Sequence, residues 1–274
     1  MTKRVVHGVN TFNSLRENQG EDVMRLKDKV AVVTGAGQGL GAAYARRFSS
    51  EGAKVIIADL NEPAARDVVK ELEEKGGEAL AIATDVSQES DTQNLARATI
   101  ERYGRIDVLV NNAAVFSTIE LKPMEEIAVE DWDRLMEVNL RGLFLCTKAV
   151  IPHMKARKHG KIINISSATV FMGKPYYIHY VTSKAGVIGF TRALAREVGD
   201  WNIQVNCLTP GYTETEIPRE TTTAEQKKAI ISHQCMKRIG TPKDLEGIMV
   251  FLASNESDFM SGQTVNVDGG DNMP

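Results

Sequence analysis

The feature that most constrains this chain is Val30-Ala-Val-Val-Thr-Gly-Ala-Gly-Gln-Gly-Leu-Gly41, an apolar run that breaks abruptly into glycine. Val30 to Val33 read as a short buried strand. Thr34 closes it, and Gly35, Gly39 and Gly41 turn the chain into a helix. A turn without Cβ atoms lets the backbone approach a pyrophosphate, and the helix behind it aims its first free N–H groups at the anion. The spacing is G-x-x-x-G-x-G, which is neither G-x-G-x-x-G nor a phosphate loop ending in Gly-Lys-Ser/Thr.

The rest of the chain keeps the strand–helix alternation that this opening sets. A helix over Ala42 to Ser50 ends at Gly52, Lys54 to Asp59 is a strand, and Glu62 to Lys75 is a charged amphipathic helix. Ala79 to Thr84 is a third strand; Ser87 then caps a helix running to Tyr103. Asp107 to Asn111 is a strand, followed by a polar loop over Phe116 to Val129. Glu130 to Lys158 reads as one long helix with Pro152 as its kink. Lys161 to Ser166, Ile203 to Leu208 and Thr264 to Val267 are further strands. Tyr177 to Val198 is a helix, Pro210 to Ile239 is irregular, and Thr241-Pro242 opens the last helix. No two strands follow one another without a helix or long loop between them. That pattern predicts a doubly wound α/β fold, with a parallel sheet covered on both faces and ligands beyond the carboxyl ends of its strands.

Length and charge narrow the remaining choices. The 274 residues suit one large α/β domain, and a net charge of -3 with no basic block argues against nucleic acid and anionic membrane as partners. Cys146, Cys207 and Cys235 are widely spaced, so a disulfide framework or zinc knuckle is not expected and a cytoplasmic setting is. No apolar run reaches the ~20 residues of a membrane span, and Gly8, Asn10, Asn13 and Ser14 stand where a signal core would have to be. Residues 1–27 read as an arm and 28–274 as a single catalytic domain. Within it, 214–240 reads as a lid over the substrate.

Two groups of residues carry chemistry. Asp59 ends the second strand 18 residues after Gly41, placed to accept hydrogen bonds from adenosine ribose hydroxyls. Its carboxylate would repel a 2′-phosphate and the glycine loop offers no Arg or Lys, so NAD is expected over NADP. Tyr180 and Lys184 are spaced i, i+4 and share a helix face, with Ser167 at the end of a strand. A free tyrosine titrates near ~10. An ammonium beside it stabilises the phenolate, and a serine hydroxyl can hold a substrate oxygen in line for proton transfer. Tyrosine, lysine and serine together suit reversible alcohol–carbonyl chemistry.

With these motifs the chain, from about Leu26 to Gly270, resembles the compact, single-domain division of the short-chain dehydrogenase/reductase family. The matched stretches are Thr34 to Gly41, Asp85-Val86, Asn111-Asn-Ala-Ala114, Asn139, Ser167, Tyr180-x-x-x-Lys184, Pro210-Gly211 and Val267-Asp-Gly-Gly270. The resemblance implies a Rossmann-type, mostly parallel seven-stranded sheet and a catalytic quartet. In that quartet Tyr180 is the acid/base and Ser167 anchors the substrate oxygen. Lys184 binds the nicotinamide ribose and lowers the Tyr180 pKa; Asn139 holds a water chain that relays the proton. It also implies dinucleotide contacts from Gly35, Gln38, Gly39, Leu40 and Gly41 of the loop and from Asp59 and Leu60. Asp85 and Val86 would meet the adenine, and Asn112 and Ala113 would lie near the ribose. Pro210, Gly211, Thr213 and Thr215 would run along the nicotinamide. A homotetramer is the assembly implied. Ala114 and Thr213 depart from the family's usual glycine and aliphatic residue.

The expected activity is NAD(H)-dependent interconversion of a secondary alcohol and its ketone. An alternative is oxidation of a ring hydroxyl of a sugar or sugar-like anionic polyol to a lactone or keto-sugar, for which Lys174, Glu214 and Arg219 offer polar contacts. A non-catalytic NAD-sensing regulator would show an eroded quartet, which this chain does not. His153, His159, His179 and His233 lack the spacing of metal ligands, and no metal is expected. His179 stands where it could border the substrate or simply pack. Met172, Met236 and Met249 read as core or lid filler.

Overall fold

The computed structural model describes residues 24–218 and 222–274. Most of the arm expected over 1–27, and Arg219 of the lid, lie outside them. At the start of the described chain Leu26 is fully buried, and its N–H donates to the Glu51 carbonyl at 3.0 Å.

Seven strands form one parallel sheet: β1 Val30–Thr34, β2 Lys54–Asp59, β3 Glu78–Ala83, β4 Val108–Asn111, β5 Gly160–Ile165, β6 Ile203–Pro210 and β7 Thr264–Val267. Their order is β3-β2-β1-β4-β5-β6-β7, so the winding reverses between β1 and β4 and opens a crevice at their carboxyl ends. β1 shows why the run is apolar throughout. Val30 and Val32 join a core shared with Leu95, Val150 and Leu194 on one face, while Ala31 and Val33 pack with Tyr44, Phe48 and Leu252 on the other. A strand buried on both sides has no polar face to show.

The helices are α1 Gly39–Ser50, α2 Glu62–Glu74, α3 Glu89–Tyr103, α4 Val129–Met136, α5 Gly142–Arg157, α6 Thr169–Met172, α7 Ile178–Val198, α8 Ala224–His233 and α9 Lys243–Ala253. Four expectations are corrected here. Gln88, not Ser87, is the N-cap of α3; Ser87 instead donates through Oγ to Asp85 Oδ1 at 2.7 Å. The long helix over Glu130 to Lys158 is broken by a π-type turn, Glu137–Arg141, between α4 and α5, and Pro152 lies inside α5. Pro242 is the N-cap of α9 rather than a first-turn residue, with Asp244 accepting the Thr241 N–H at 2.8 Å. The stretch after Pro210 is not irregular throughout. It contains α8, whose capping box pairs Thr223 with Gln226. Among the described residues no helix is long and apolar enough to cross a membrane.

Candidate active site

A cleft of about 770 Å³ runs across the carboxyl ends of the strands. Its walls come from strand ends distant in sequence: Gly35 after β1, Asp59 and Leu60 after β2, Asn112 and Ala113 after β4, Ser167 after β5 and Pro210 and Gly211 after β6. Gln38, Leu40, Asp85, Val86, Thr213 and Thr215, all proposed from the sequence as cofactor contacts, also line it. Gly39 and Gly41 do not, Gly39 being covered by Glu216 and Ile217. Gly41 sits behind the turn, where a Cβ would fall 2.2 Å from the Gly35 carbonyl oxygen, so its role is to let α1 pack against the loop.

At one end of the cleft the backbone and a carboxylate do the work. Asp59 Oδ2 accepts the Gly37 N–H at 2.8 Å and Oδ1 accepts the Asn61 N–H at 2.9 Å. Each oxygen keeps a lone pair for a ribose hydroxyl. Asn112 ties the two central strands together. Its Nδ2 donates to the Thr34 and Gly35 carbonyls at 2.9 and 3.0 Å, and its N–H donates to Thr34 Oγ1 at 3.0 Å. Gly211 is held by its N–H on the Val267 carbonyl at 3.0 Å. Thr213 is buried, pairs with Gly240, and donates from Oγ1 to the Gly211 carbonyl.

At the other end, Ser167, Tyr180 and Lys184 line the same cleft. Ser167 Oγ accepts from the Thr169 hydroxyl at 2.9 Å, which fixes the serine rotamer. Lys184 is 3% exposed; its Nζ donates to the Ile165 carbonyl at 2.9 Å and lies 5.8 Å from the Tyr180 ring centroid. Burial, partly countered by the nearby Cys207 thiol, brings its pKa down to about 8. Asn139 does not reach the cleft. It sits in the π-type turn, and its Oδ1 accepts the Val115 N–H at 2.8 Å while its Nδ2 donates to the Val115 carbonyl and to Ser183 Oγ. It does border a small cavity of about 10 Å³, shared with Lys184 and with Asn111, whose Oδ1 is buried without a protein partner. That space suits a single water.

The arrangement also fits an anionic cofactor: a carboxylate oxygen, that of Glu216, already accepts the Gly39 N–H at 2.7 Å at the start of α1. A family profile described as enoyl-(acyl carrier protein) reductase matches residues 35–272. The chain is 38% identical over 247 residues to the 3-oxoacyl-(acyl-carrier-protein) reductase FabG of Thermotoga maritima, covering 90% of this chain and 99% of that protein.

The chain belongs to the short-chain dehydrogenase/reductase family.

This short-chain dehydrogenase/reductase is an oxidoreductase, and its likeness to relatives extends to solved structures. It is 38% identical to the (2S)-((R)-hydroxy(phenyl)methyl)succinyl-CoA dehydrogenase subunit BbsD of Thauera aromatica, over 90% of this chain and 98% of that one. A gluconate 5-dehydrogenase from Burkholderia cenocepacia J2315, crystallised in complex with NADP and tartrate, superposes with a TM-score of 0.86 at 36% identity. The match covers 91% of this chain and 97% of the other. The cofactor class is therefore a nicotinamide dinucleotide.

Among the neighbours of the quartet His179 takes the packing alternative, and Glu214 is not where the sequence suggested. His179 is 4% exposed and lines a separate cavity of about 150 Å³ with Asp131 and Lys122, not the main cleft; burial lowers its pKa. Glu214 pairs with Lys227 of α8 and does not line the cleft. Lys174 and Met172 do line it. Tyr177 was missed as a site residue: its ring lies 4.7 Å from that of Tyr180, and the aromatic residue three before the reactive tyrosine was the available signal. Gln226, Ala229 and Ile230 of α8 were missed with their helix; the Thr223-x-x-Gln226 capping box could have found it.

Proposed function

We propose that this enzyme interconverts a secondary alcohol and its ketone with NAD(H), using Tyr180 as acid/base. The observation that carries the reading is the buried Lys184 ammonium beside the Tyr180 ring in a cleft that also holds Ser167. Bound in the cleft, the nicotinamide dinucleotide supplies or accepts the hydride. Ser167 Oγ holds the substrate oxygen. In oxidation Tyr180, as phenolate, takes the hydroxyl proton from that oxygen, and in reduction it returns one. The Lys184 charge lowers the phenol's pKa, and Lys184 binds the ribose. Asn139, braced by Val115, orders a water in the small cavity against Lys184, and the proton leaves by that route. The lid over 214–240 closes the site with α8. A homotetramer is the working assembly, and the exposed Phe144 of α5 offers apolar surface to it.

NAD is favoured over NADP on charge. Among the described residues the cations in the cleft lining are Arg134, Lys174 and Lys184, all from segments after β4, whereas Asp59 stands at the glycine loop. The gluconate 5-dehydrogenase relative was crystallised with NADP, which is a property of that protein, and the rates below decide the cofactor of this one. A second reading, oxidation of an anionic polyol, is supported by Lys174. Its Nζ lies 4.9 Å from the Tyr177 ring centroid, and that ring lies 4.7 Å from the Tyr180 ring, tilted 35° to it. A cation so close to the acid/base suits a substrate carboxylate.

Initial rates with NAD⁺ and NADP⁺ across secondary alcohols, sugars and sugar acids, and with NADH and NADPH on 3-oxoacyl thioesters, separate these readings. Tyr180→Phe is expected to cut turnover by about 10²–10⁴-fold while NADH still binds. Turnover surviving that change would remove the phenol from the chemistry.

A further inference from the structure

The start of α1 is capped by the lid. Gln38, the N-cap of α1, makes no side-chain capping bond, and the first turn of the helix contains no acid. The Gly39 N–H donates instead to Glu216 Oε1 at 2.7 Å, across 177 residues of chain. Gly39 has φ +60°, and a Cβ there would fall 2.6 Å from Ile217 Cδ1, so the next lid residue packs directly on the turn. The segment is anchored behind this contact. The Glu214 N–H donates to the Gly240 carbonyl at 2.9 Å, the Glu214 side chain pairs with Lys227 of α8, and Thr215 Oγ1 accepts the Ile217 N–H.

We propose that Glu216 is a built-in stand-in for the cofactor's diphosphate: its carboxylate holds the diphosphate's donor at the start of α1 and must be displaced when a dinucleotide binds. This rests on the reading of the cleft as a dinucleotide site. A carboxylate and a diphosphate cannot share one N–H, and their like charges repel at that distance. Binding therefore swings Glu216 and Ile217 off the glycine turn. Glu214, tied to Gly240 and to Lys227 of α8, is the fixed point of that swing, which opens the turn beside the cleft-lining Thr215. The cofactor's arrival thus resets the lid before substrate enters. At the end of a cycle the returning carboxylate helps to expel the spent dinucleotide, a step that often limits turnover.

The test is equilibrium and stopped-flow binding of NADH, ADP-ribose and adenosine to the wild type, Glu216→Ala and Glu216→Gln, with thermal unfolding of each as a check on the fold. Glu216→Ala should tighten NADH and ADP-ribose about tenfold, mainly by slower release, and Glu216→Gln should tighten them less. Glu216→Gln preserves the side chain's size should the alanine variant fold poorly. Adenosine, which lacks the diphosphate, should bind all three proteins alike. Wild-type binding of NADH that both variants leave unchanged or weaken overturns this inference alone. Equal tightening of adenosine also overturns it, since the effect would then not lie at the diphosphate. Failure of the wild type to bind either NADH or NADPH overturns the oxidoreductase reading and this inference with it.

Discussion

Among the described residues two lysines are buried, at opposite edges of one sheet, and they are treated in opposite ways. Lys161, the second residue of β5, lies at the amino edge; it is 1% exposed, and its Nζ donates to Asp258 at 2.6 Å and to Ser257 Oγ at 3.2 Å. Lys184, near the carboxyl edge, is 3% exposed and has a backbone carbonyl as its hydrogen-bond acceptor. Among the described residues no carboxylate pairs with it. Burial lowers both pKa values, but at Lys161 Asp258 pulls back upward, whereas Lys184 is left at about 8. The difference is what the proposed mechanism requires: a lysine that supports the fold is given its counter-ion, and one proposed to serve chemistry is left without one, so that its field can fall on the phenol and the cofactor.

That contrast can be broken most directly at Lys184. Lys184→Met should lower turnover by about 10²–10⁴-fold while raising the melting temperature, because it replaces a costly buried charge with an apolar chain of similar length. Initial rates and a thermal melt check this together. A variant that loses activity and stability alike would mean that the ammonium is not stored at a cost.

The second effect is read in pH. The unfolded chain holds the Lys184 proton up to about pH 10.5, and the folded chain only to about 8. Below about 8 both states are protonated, and folding bears the full cost of the charge. As pH rises from 8 to 10.5 the folded state releases the proton first, so stability rises through that window. The rise attributable to Lys184 is about 3 kcal/mol. It is isolated as the difference between urea unfolding of the wild type and of Lys184→Met across that range, and parallel profiles would refute it.

The smallest effect sharpens the other half of the comparison. Asp258→Ala strips Lys161 of its counter-ion and should cost about 1–3 kcal/mol of stability, with kcat/KM for the folded enzyme unchanged. A fall in kcat/KM at full folding would show that the amino edge reaches the chemistry.

Much of this was legible along the chain because its signals are local. β2 and β7 have the bounds read from their apolar runs. Tyr180 and Lys184 lie one helical turn apart wherever that helix is placed, and Ser167 follows β5 by the same logic of strand ends. The break between α4 and α5 was not legible. A π-type turn differs from helix by one residue per turn, and what settles it is the Asn139 amide bonding Val115, 24 residues away. Which of the two readings open for His179 holds was likewise not legible: adjacent helix residues point in different directions, so it faces a second cavity while Tyr180 faces the cleft.

By itself the sequence determined that strands would alternate with helices, that a glycine turn would meet an anion, and that a phenol and an ammonium would share a helix face. Periodicity, backbone freedom and i, i+4 spacing act over a few residues and survive without a partner segment. Tertiary structure alone decided which charges are compensated, that Glu216 caps a helix 177 residues before it, and that α8 walls the cleft. Those outcomes depend on burial and on distances between segments far apart in the chain, and no local pattern encodes either.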